Sequence, residues 1–243
     1  MNDRHRLAIL GASGHGKVVA DIAIQTGWQE LVFYDDAWPE KRHLERWEIR
    51  GTLPMLLHDL ADYDGVFVAI GHNTIRDVKL EELMRHGATI VSLVHPRAIV
   101  SPMARLGAGS VVMPGAVINA FAELGRGGIV NSAATVDHDC RLGDCVHVAP
   151  GANIAGDVEV GRLSWIGAGA VVRQGVAIGA NVMIGAGAAV VADIANDQVM
   201  GGVPARPLPS SPGASDIGEG KDDPPPGASN VLHLDLKSPK GRS

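Results

Sequence analysis

Hydrophobic positions in the second half of the chain recur every sixth residue. From Val94 through Val100, Leu106, Val112, Ile118, Leu124, Val130, Val136, Leu142, Val148, Ile154, Val160, Ile166, Val172, Ile178 and Ile184 to Val190 the series runs 17 positions without a miss. A helix repeats near 3.6 and a flat strand at 2, so neither produces this period. Four residues after the aliphatic position the side chain is nearly always small or β-branched, as at Ser110, Ala116, Ala122, Ala134, Cys140, Ala152, Ser164 and Ala170. Glycine often follows the aliphatic residue directly, as at Gly107, Gly125, Gly143, Gly161, Gly167, Gly179 and Gly185. The pattern predicts a left-handed parallel β-helix over 93–209, three hexads closing one triangular coil. Glycine beside each aliphatic residue is expected to permit the corner conformations.

Ahead of it the pattern changes. Leu7 to Leu10 reads as a buried strand, followed by a helix that starts at Lys17 and stops at Gly27, with Val18, Val19, Ile22 and Ala23 on its apolar side. Leu31 to Tyr34 and Val66 to Ile70 read as further strands, 74–86 as a helix, and Thr89 to Leu93 as a last strand. Strands alternating with helices predict a small Rossmann-like parallel α/β domain over 1–92. The fold class is therefore α/β plus all-β. Residues 38–50 form a charged insertion without an evident role. The six-residue period ends at Asn196, and 201–207 reads as a cap. Residues 210–243 are dominated by Pro, Gly, Ser and Asp, a composition expected to stay disordered. Within that tail, Val231 to Leu236 is a short apolar patch that either docks on the body or stays free.

Composition narrows the setting. Apolar residues make up 46% of the chain but aromatic ones only 4%, which suits an interior too narrow for rings. A net charge of −6 gives no sign of a nucleic-acid or membrane surface. No signal peptide is expected before the first strand, and no apolar run of 18 residues occurs. Cys140 falls on an inward position and Cys145 on an outward one, so pairing is not expected. These features fit a soluble cytoplasmic protein.

Three loops leave the carboxyl ends of the parallel strands, where open α/β sheets bind ligands. The first, Gly11-Ala-Ser-Gly-His-Gly16, has the placement of a phosphate-cradling turn, although the spacing also serves a plain strand-to-helix turn. The second carries Asp35-Asp36, a pair that suits a nucleotide or a solvated loop. The third is Gly71-His72-Asn73. In the coil, Asp137-His138-Asp139 is the densest polar rung. A histidine between two acids has a carboxylate to fix its tautomer, as a general base requires, or is an ordinary surface residue. His147 lies half a coil further on. With no third histidine between 96 and 232, a three-histidine zinc site is not expected.

Taken as a set, Gly-Ala-Ser-Gly-His-Gly-Lys at 11–17, Phe-Tyr-Asp-Asp at 33–36, Ala-Ile-Gly-His-Asn at 69–73, Asn-Ser-Ala-Ala-Thr-Val-Asp-His-Asp-Cys at 131–140, His-Val-Ala-Pro at 147–150, Ala-Gly-Asp-Val at 155–158 and Gly-Val-Pro-Ala-Arg at 202–206 resemble one family. It is the sialic-acid O-acetyltransferase type of sugar acyltransferase, closest to the bacterial N-acetyltransferases of nucleotide-linked 4-amino-4,6-dideoxy sugars (bacillosamine and perosamine type). The resemblance covers 6 to about 208. It implies His138 as catalytic base, with Asp139 raising its basicity. It implies nucleotide-sugar binding by Ser13, Gly14, His15, Asp35, Asp36 and Gly71. Acetyl-CoA is implied as co-substrate, with His147 by the acetyl group and main chain near Gly156 and Ala168 along its path. No metal is implied, and the assembly is expected to be a homotrimer with the site in the cleft between copies. Two alternatives remain open at this point: O-acetylation of sialic acid or another sugar hydroxyl, and a non-enzymatic β-helix trimer or nucleotide-sugar sensor.

Overall fold

The computed structural model describes residues 6–208. The 210–243 tail expectation, with its Val231 to Leu236 patch, lies outside the described residues. The N-terminal layer is built from β1 (Arg6–Leu10), α1 (Gly14–Gln25), β2 (Glu30–Tyr34), β3 (His43–Leu44), β4 (Trp47–Gly51), α2 (Leu53–His58), β5 (Gly65–Val68) and α3 (Asn73–Arg85). The sheet order is β3-β4-β2-β1-β5, and β5, β1, β2 and β4 run parallel. The chain therefore reverses its direction of sheet growth at β1, which opens a crevice beyond its carboxyl end. The 38–50 segment is no insertion. Its β4 pairs parallel to β2, and Trp38 and Trp47 pack against the core beside Phe33. The strand expected over 89–93 is reduced to one bridge, Ile90 to Val66, because Leu93 already belongs to the first coil.

From β6 (Leu93–Val94) to β22 (Ala189–Val190) follow 17 two-residue strands, each ending on the aliphatic residue of one hexad. They stack into three parallel faces of eight, six and five strands, the eight-stranded face including β23 (Val199–Gly201) and β24 (Arg206–Pro207). The aliphatic and small positions form one continuous buried core, from Val112 to Ala205. The glycines beside the aliphatic residues do not make the corners. From Gly109 to Gly187 positive φ falls three residues after the aliphatic position, at Gly127 (63°) but equally at Asp139 (60°) and Cys145 (54°). Gly107 is needed for a different reason: a Cβ there would lie 2.4 Å from the Arg126 nitrogen of the next coil. Stacking distance, not dihedral freedom, selects glycine at that position.

The α/β layer covers the eight-stranded face. Leu93, Val111 and Ile129 project from that face into the core that holds Leu7, Ile9 and Phe33. Among the described residues no helix is long and apolar enough to cross a membrane.

Candidate functional site

The polar rung Asp137-His138-Asp139 sits at the corner between the six- and five-stranded faces, just after β13 (Thr135–Val136). Positive φ at Asp139 turns its carboxylate back onto the preceding side chain, so that Oδ2 lies 2.7 Å from Nδ1 of His138. A carboxylate only accepts, so Nδ1 carries the hydrogen and Nε2 keeps its lone pair. Asp137 accepts from the His138 N–H at 2.8 Å and from Asn119 Nδ2 at 2.7 Å, which pins the turn from the coil before. The hydrogen bond to Asp139 raises the His138 pKa, and the charge of Asp137 adds to it. The imidazole stays open to solvent, with 59% of its side-chain surface exposed. Beneath it lies Gly156, one coil on. The N–H groups of Gly156 and Ala168 are not among the coil-to-coil ladder donors, whereas their carbonyls accept from Gly175 and Gly187.

The second half of the site lies on another face. His147 opens β15 (His147–Val148) in the eight-stranded sheet, under the α/β layer. Its ring packs at 4.0 Å, centroid to centroid, on Trp165, and Nε2 faces Asn131 Nδ2 at 3.2 Å. Its Nδ1 is buried without a partner, as is Nε2 of His15 from the Gly-rich turn. Burial lowers His147 well below the usual value, with Arg76 and His15 contributing. Burial and then Arg76 lower His15 to about 4. Both rings are therefore neutral at pH 7, and each offers a buried, unclaimed nitrogen.

Arg76 joins these pieces and was not foreseen from sequence. Only 1% exposed, it donates to the carbonyls of Gly127 (2.8 Å), Ile70, Gly71 and Cys145 (each 2.9 Å) and to Asn73 Oδ1 (2.7 Å). Its helix also sends Asn73 to the carbonyls of Leu163 and Ser164, and Asp77 to Arg126 and Arg162. The signal in the sequence is the spacing of Asn73, Arg76, Asp77, Leu80 and Leu83 along one helical stripe, all buried.

The remaining expected residues fall around the crevice. Ser13 precedes α1 without making a side-chain cap, leaving the first-turn N–H groups near Gly14 and His15 open to an anion. Asp35 accepts from the N–H of Ala12 (2.6 Å) and of Ala37 (2.9 Å), while Lys41 Nζ donates to the Ala12 carbonyl at 2.7 Å. Asp36 points outward, with Lys79 at 3.8 Å and 74% of its side chain exposed. A Cβ on Gly71 would meet nothing within 4 Å, so the crevice is open there. A groove of about 840 Å³ runs along the five-stranded face, but none of the candidate residues lines it. Of its charges, Glu123 pairs with Arg105 and Arg141 with Glu159, while Asp193 accepts from the Ala177 N–H. Among the described residues no group of His, Cys, Asp or Glu is arranged to hold a metal.

Comparison with known proteins agrees with this geometry. Residues 6–83 match the PglD N-terminal domain model. Over 115 residues the chain is 33% identical to UDP-N-acetylbacillosamine N-acetyltransferase of Bacillus subtilis (strain 168), a match that takes in 43% of this chain and about half of that relative, 50%. The acetyltransferase domain of PglB from Neisseria gonorrhoeae FA1090, solved with acetyl coenzyme A, is 43% identical with a TM-score of 0.80, over 84% of this chain and 98% of that one. PerB from Caulobacter crescentus, solved with CoA and GDP-perosamine, is 37% identical with a TM-score of 0.80, over 84% and 97% of the two chains. Fold and comparisons thus define a hexapeptide-repeat acyltransferase whose N-terminal α/β layer matches the PglD N-terminal domain model. Within that class the chain belongs to the bacillosamine- and perosamine-type acetyltransferases, a family of acetyl-CoA-dependent sugar N-acetyltransferases.

Proposed function

We propose that the protein transfers acetyl from acetyl-CoA to the 4-amino group of a UDP- or GDP-linked 4-amino-4,6-dideoxy sugar, with His138 as general base. The observation that carries this reading is the held imidazole, Nδ1 on Asp139 at 2.7 Å and Nε2 free above Gly156. The amine nitrogen attacks the thioester carbonyl carbon, and its proton passes to Nε2. Collapse of the tetrahedral intermediate breaks the C–S bond, and the departing thiolate takes that proton. Base catalysis of this kind contributes about 10²–10⁴-fold. Coil N–H groups outside the ladder, with His147, are the donors available to the oxyanion. Direct attack suits the thiols: Cys140 and Cys145 are buried, and burial raises the pKa of both.

In this reading the crevice of residues 6–92, through Ser13, Gly14, His15, Asp35, Asp36 and Gly71, takes the nucleotide sugar. Residues His147, Gly156 and Ala168 take acetyl-CoA. His138 and the crevice stand on different faces of one chain, so a homotrimer completes each site with a neighbour's corner. The six-stranded face supports this: its outward residues Ile99, Val117, Thr135, Asn153, Val171 and Ala189 are all uncharged, with Ile99 67% exposed. The five-stranded face presents Arg105, Glu123, Arg141 and Glu159 instead. A cytoplasmic setting follows from the nucleotide-activated acceptor and the reduced thiols.

The test is acetyl-CoA turnover against UDP- and GDP-linked 4-amino sugars and their 4-hydroxy counterparts, with His138→Ala alongside. Turnover of an amino sugar that falls about 10²–10⁴-fold in His138→Ala, with both substrates still bound, is expected. Turnover confined to the hydroxy sugars overturns the acceptor, and undiminished turnover in His138→Ala overturns the base.

A further inference from the structure

The β-helix has no lysine between residues 94 and 208, and its arginines are nearly all engaged. Arg105 pairs with Glu123, Arg141 with Glu159, and Arg126 and Arg162 both with Asp77. Arg206 donates to the Ala205 carbonyl. Arg173 differs. It is exposed, its backbone N–H holds the Val190 carbonyl, and its guanidinium makes no hydrogen bond or ion pair among the described residues. Arg97 is free too, but it stands in the first coil at another corner.

Arg173 follows β19 (Val171–Val172), at the same corner as His138 and two coils further along. Coils repeat about every 4.8 Å, so the two lie about 10 Å apart along the axis. Arg173 stands in the register of Asp137, and the intervening coil has Ala155 and Gly156 at the positions of Asp137 and His138, so no long side chain separates them at those two positions. On the opposite side of His138 the corner carries Phe121, 58% exposed. The open track from the base therefore leads toward Arg173. Otherwise the corner is acidic, with Asp137, Asp139, Asp157 and Asp193. An acyl donor that ends in several phosphates is repelled by those carboxylates unless a cation lies where the phosphates come to rest.

We propose that Arg173 binds a phosphate of the nucleotide end of acetyl-CoA. This rests on the acetyl-CoA reading above. A free guanidinium offers two parallel N–H donors to phosphate oxygens. The residue is distant from the reacting atoms, so it acts on donor affinity and not on the chemical step.

The experiment compares wild type, Arg173→Gln and Arg173→Lys with two donors, acetyl-CoA and S-acetylpantetheine, which lacks every phosphate. CoA binding is followed by calorimetry and the oligomer by sedimentation. For acetyl-CoA, the KM of Arg173→Gln should rise about ten- to a hundredfold at unchanged kcat, the loss typical of a charge-assisted hydrogen bond. Its KM for S-acetylpantetheine should stay within twofold of wild type, and Arg173→Lys should recover part of the acetyl-CoA affinity. Equal KM increases for both donors, no increase for either, or loss of self-association in Arg173→Gln would each overturn the proposal. Wild type that binds no CoA would overturn the functional reading as well, and so separates the two failures.

Discussion

Gly156 lies so close under His138 that a Cβ there would sit 2.5 Å from Nε2 and 2.6 Å from Cε1. Real Cβ atoms do not approach that near, so any side chain at 156 displaces the ring. The Asp139 bond fixes one edge of the imidazole, and Gly156 leaves room for the other. Gly156→Ala should therefore lower turnover about 10²-fold through misplacement of the base by about 1 Å. Its thermal midpoint should stay near wild type, since the ring is exposed and swings into solvent. A variant with full kcat would show that the ring position is not critical.

The pH profile reports the same base. Asp139 raises the His138 pKa, and the base must be neutral to accept a proton. The acid limb of kcat/KM should therefore lie above the usual histidine value of about 6.5. In Asp139→Asn the imidazolium loses its carboxylate, so the limb should move to lower pH while the plateau rate falls with the weaker base. An acid limb that stays in place would remove Asp139 from the mechanism.

Asp35 and Asp36 separate into two roles. Asp35 ties the Gly-rich turn to the loop after β2 through the N–H groups of Ala12 and Ala37, whereas Asp36 faces solvent. Asp36→Ala should raise the KM for the nucleotide sugar about ten- to a hundredfold and leave the melting temperature alone. Asp35→Ala should raise that KM and lower the melting temperature as well. In both, the KM for acetyl-CoA should be unchanged; a shift there instead would exchange the ligands assigned to the two halves of the site.

The coil was legible because a prism admits one inward aliphatic residue per hexad, a demand so regular that it survives without any other signal. The polar rung at 137–139 stood out for a related reason: three consecutive charged or ionisable residues on a corner serve no packing purpose. The strand at Trp47–Gly51, between β3 and β2, was not legible, since its buried positions alternate with more exposed ones and its apolar residues with charges. Helix α3 was legible as a helix, but its contacts were not. It buries Asn73, Arg76 and Asp77 while Ile75 and Val78 stand 46% and 54% exposed, the reverse of an ordinary amphipathic stripe. Its partners are carbonyls and arginines on coils far away in sequence, and no local pattern encodes them.

Arg76→Met should accordingly be among the most destabilising single changes in the protein. It removes five hydrogen bonds to buried acceptors on both the loop after β5 and the coil. Each orphaned acceptor costs about 1–3 kcal/mol before relaxation, so a net loss of about 3–5 kcal/mol is expected. For a chain of this size that lowers the melting temperature by about 6–20 °C. Arg76→Lys should rescue little, because an ammonium cannot reach acceptors on both sides of a planar fork. A shift under 2 °C would show that water replaces the guanidinium.

His15 and His147 predict how stability responds to acid. Both have folded pKa values below the unfolded value of about 6.5, since burial and Arg76 oppose the imidazolium. Below about pH 6.5 the unfolded chain takes up protons that the folded one refuses, so stability falls as pH falls. For His15 the loss continues until its folded pKa, about 4, is passed. The paired carboxylates cannot produce this decline, because Asp59 and Asp137 have lowered pKa values and titrate at more acid pH. Thermal midpoints of wild type should thus drop between about pH 6.5 and 4. Replacing both rings with a non-titrating isostere, in His15→Gln with His147→Asn, should flatten that window. Equal slopes in the two proteins would mean that these rings are already hydrated in the free enzyme.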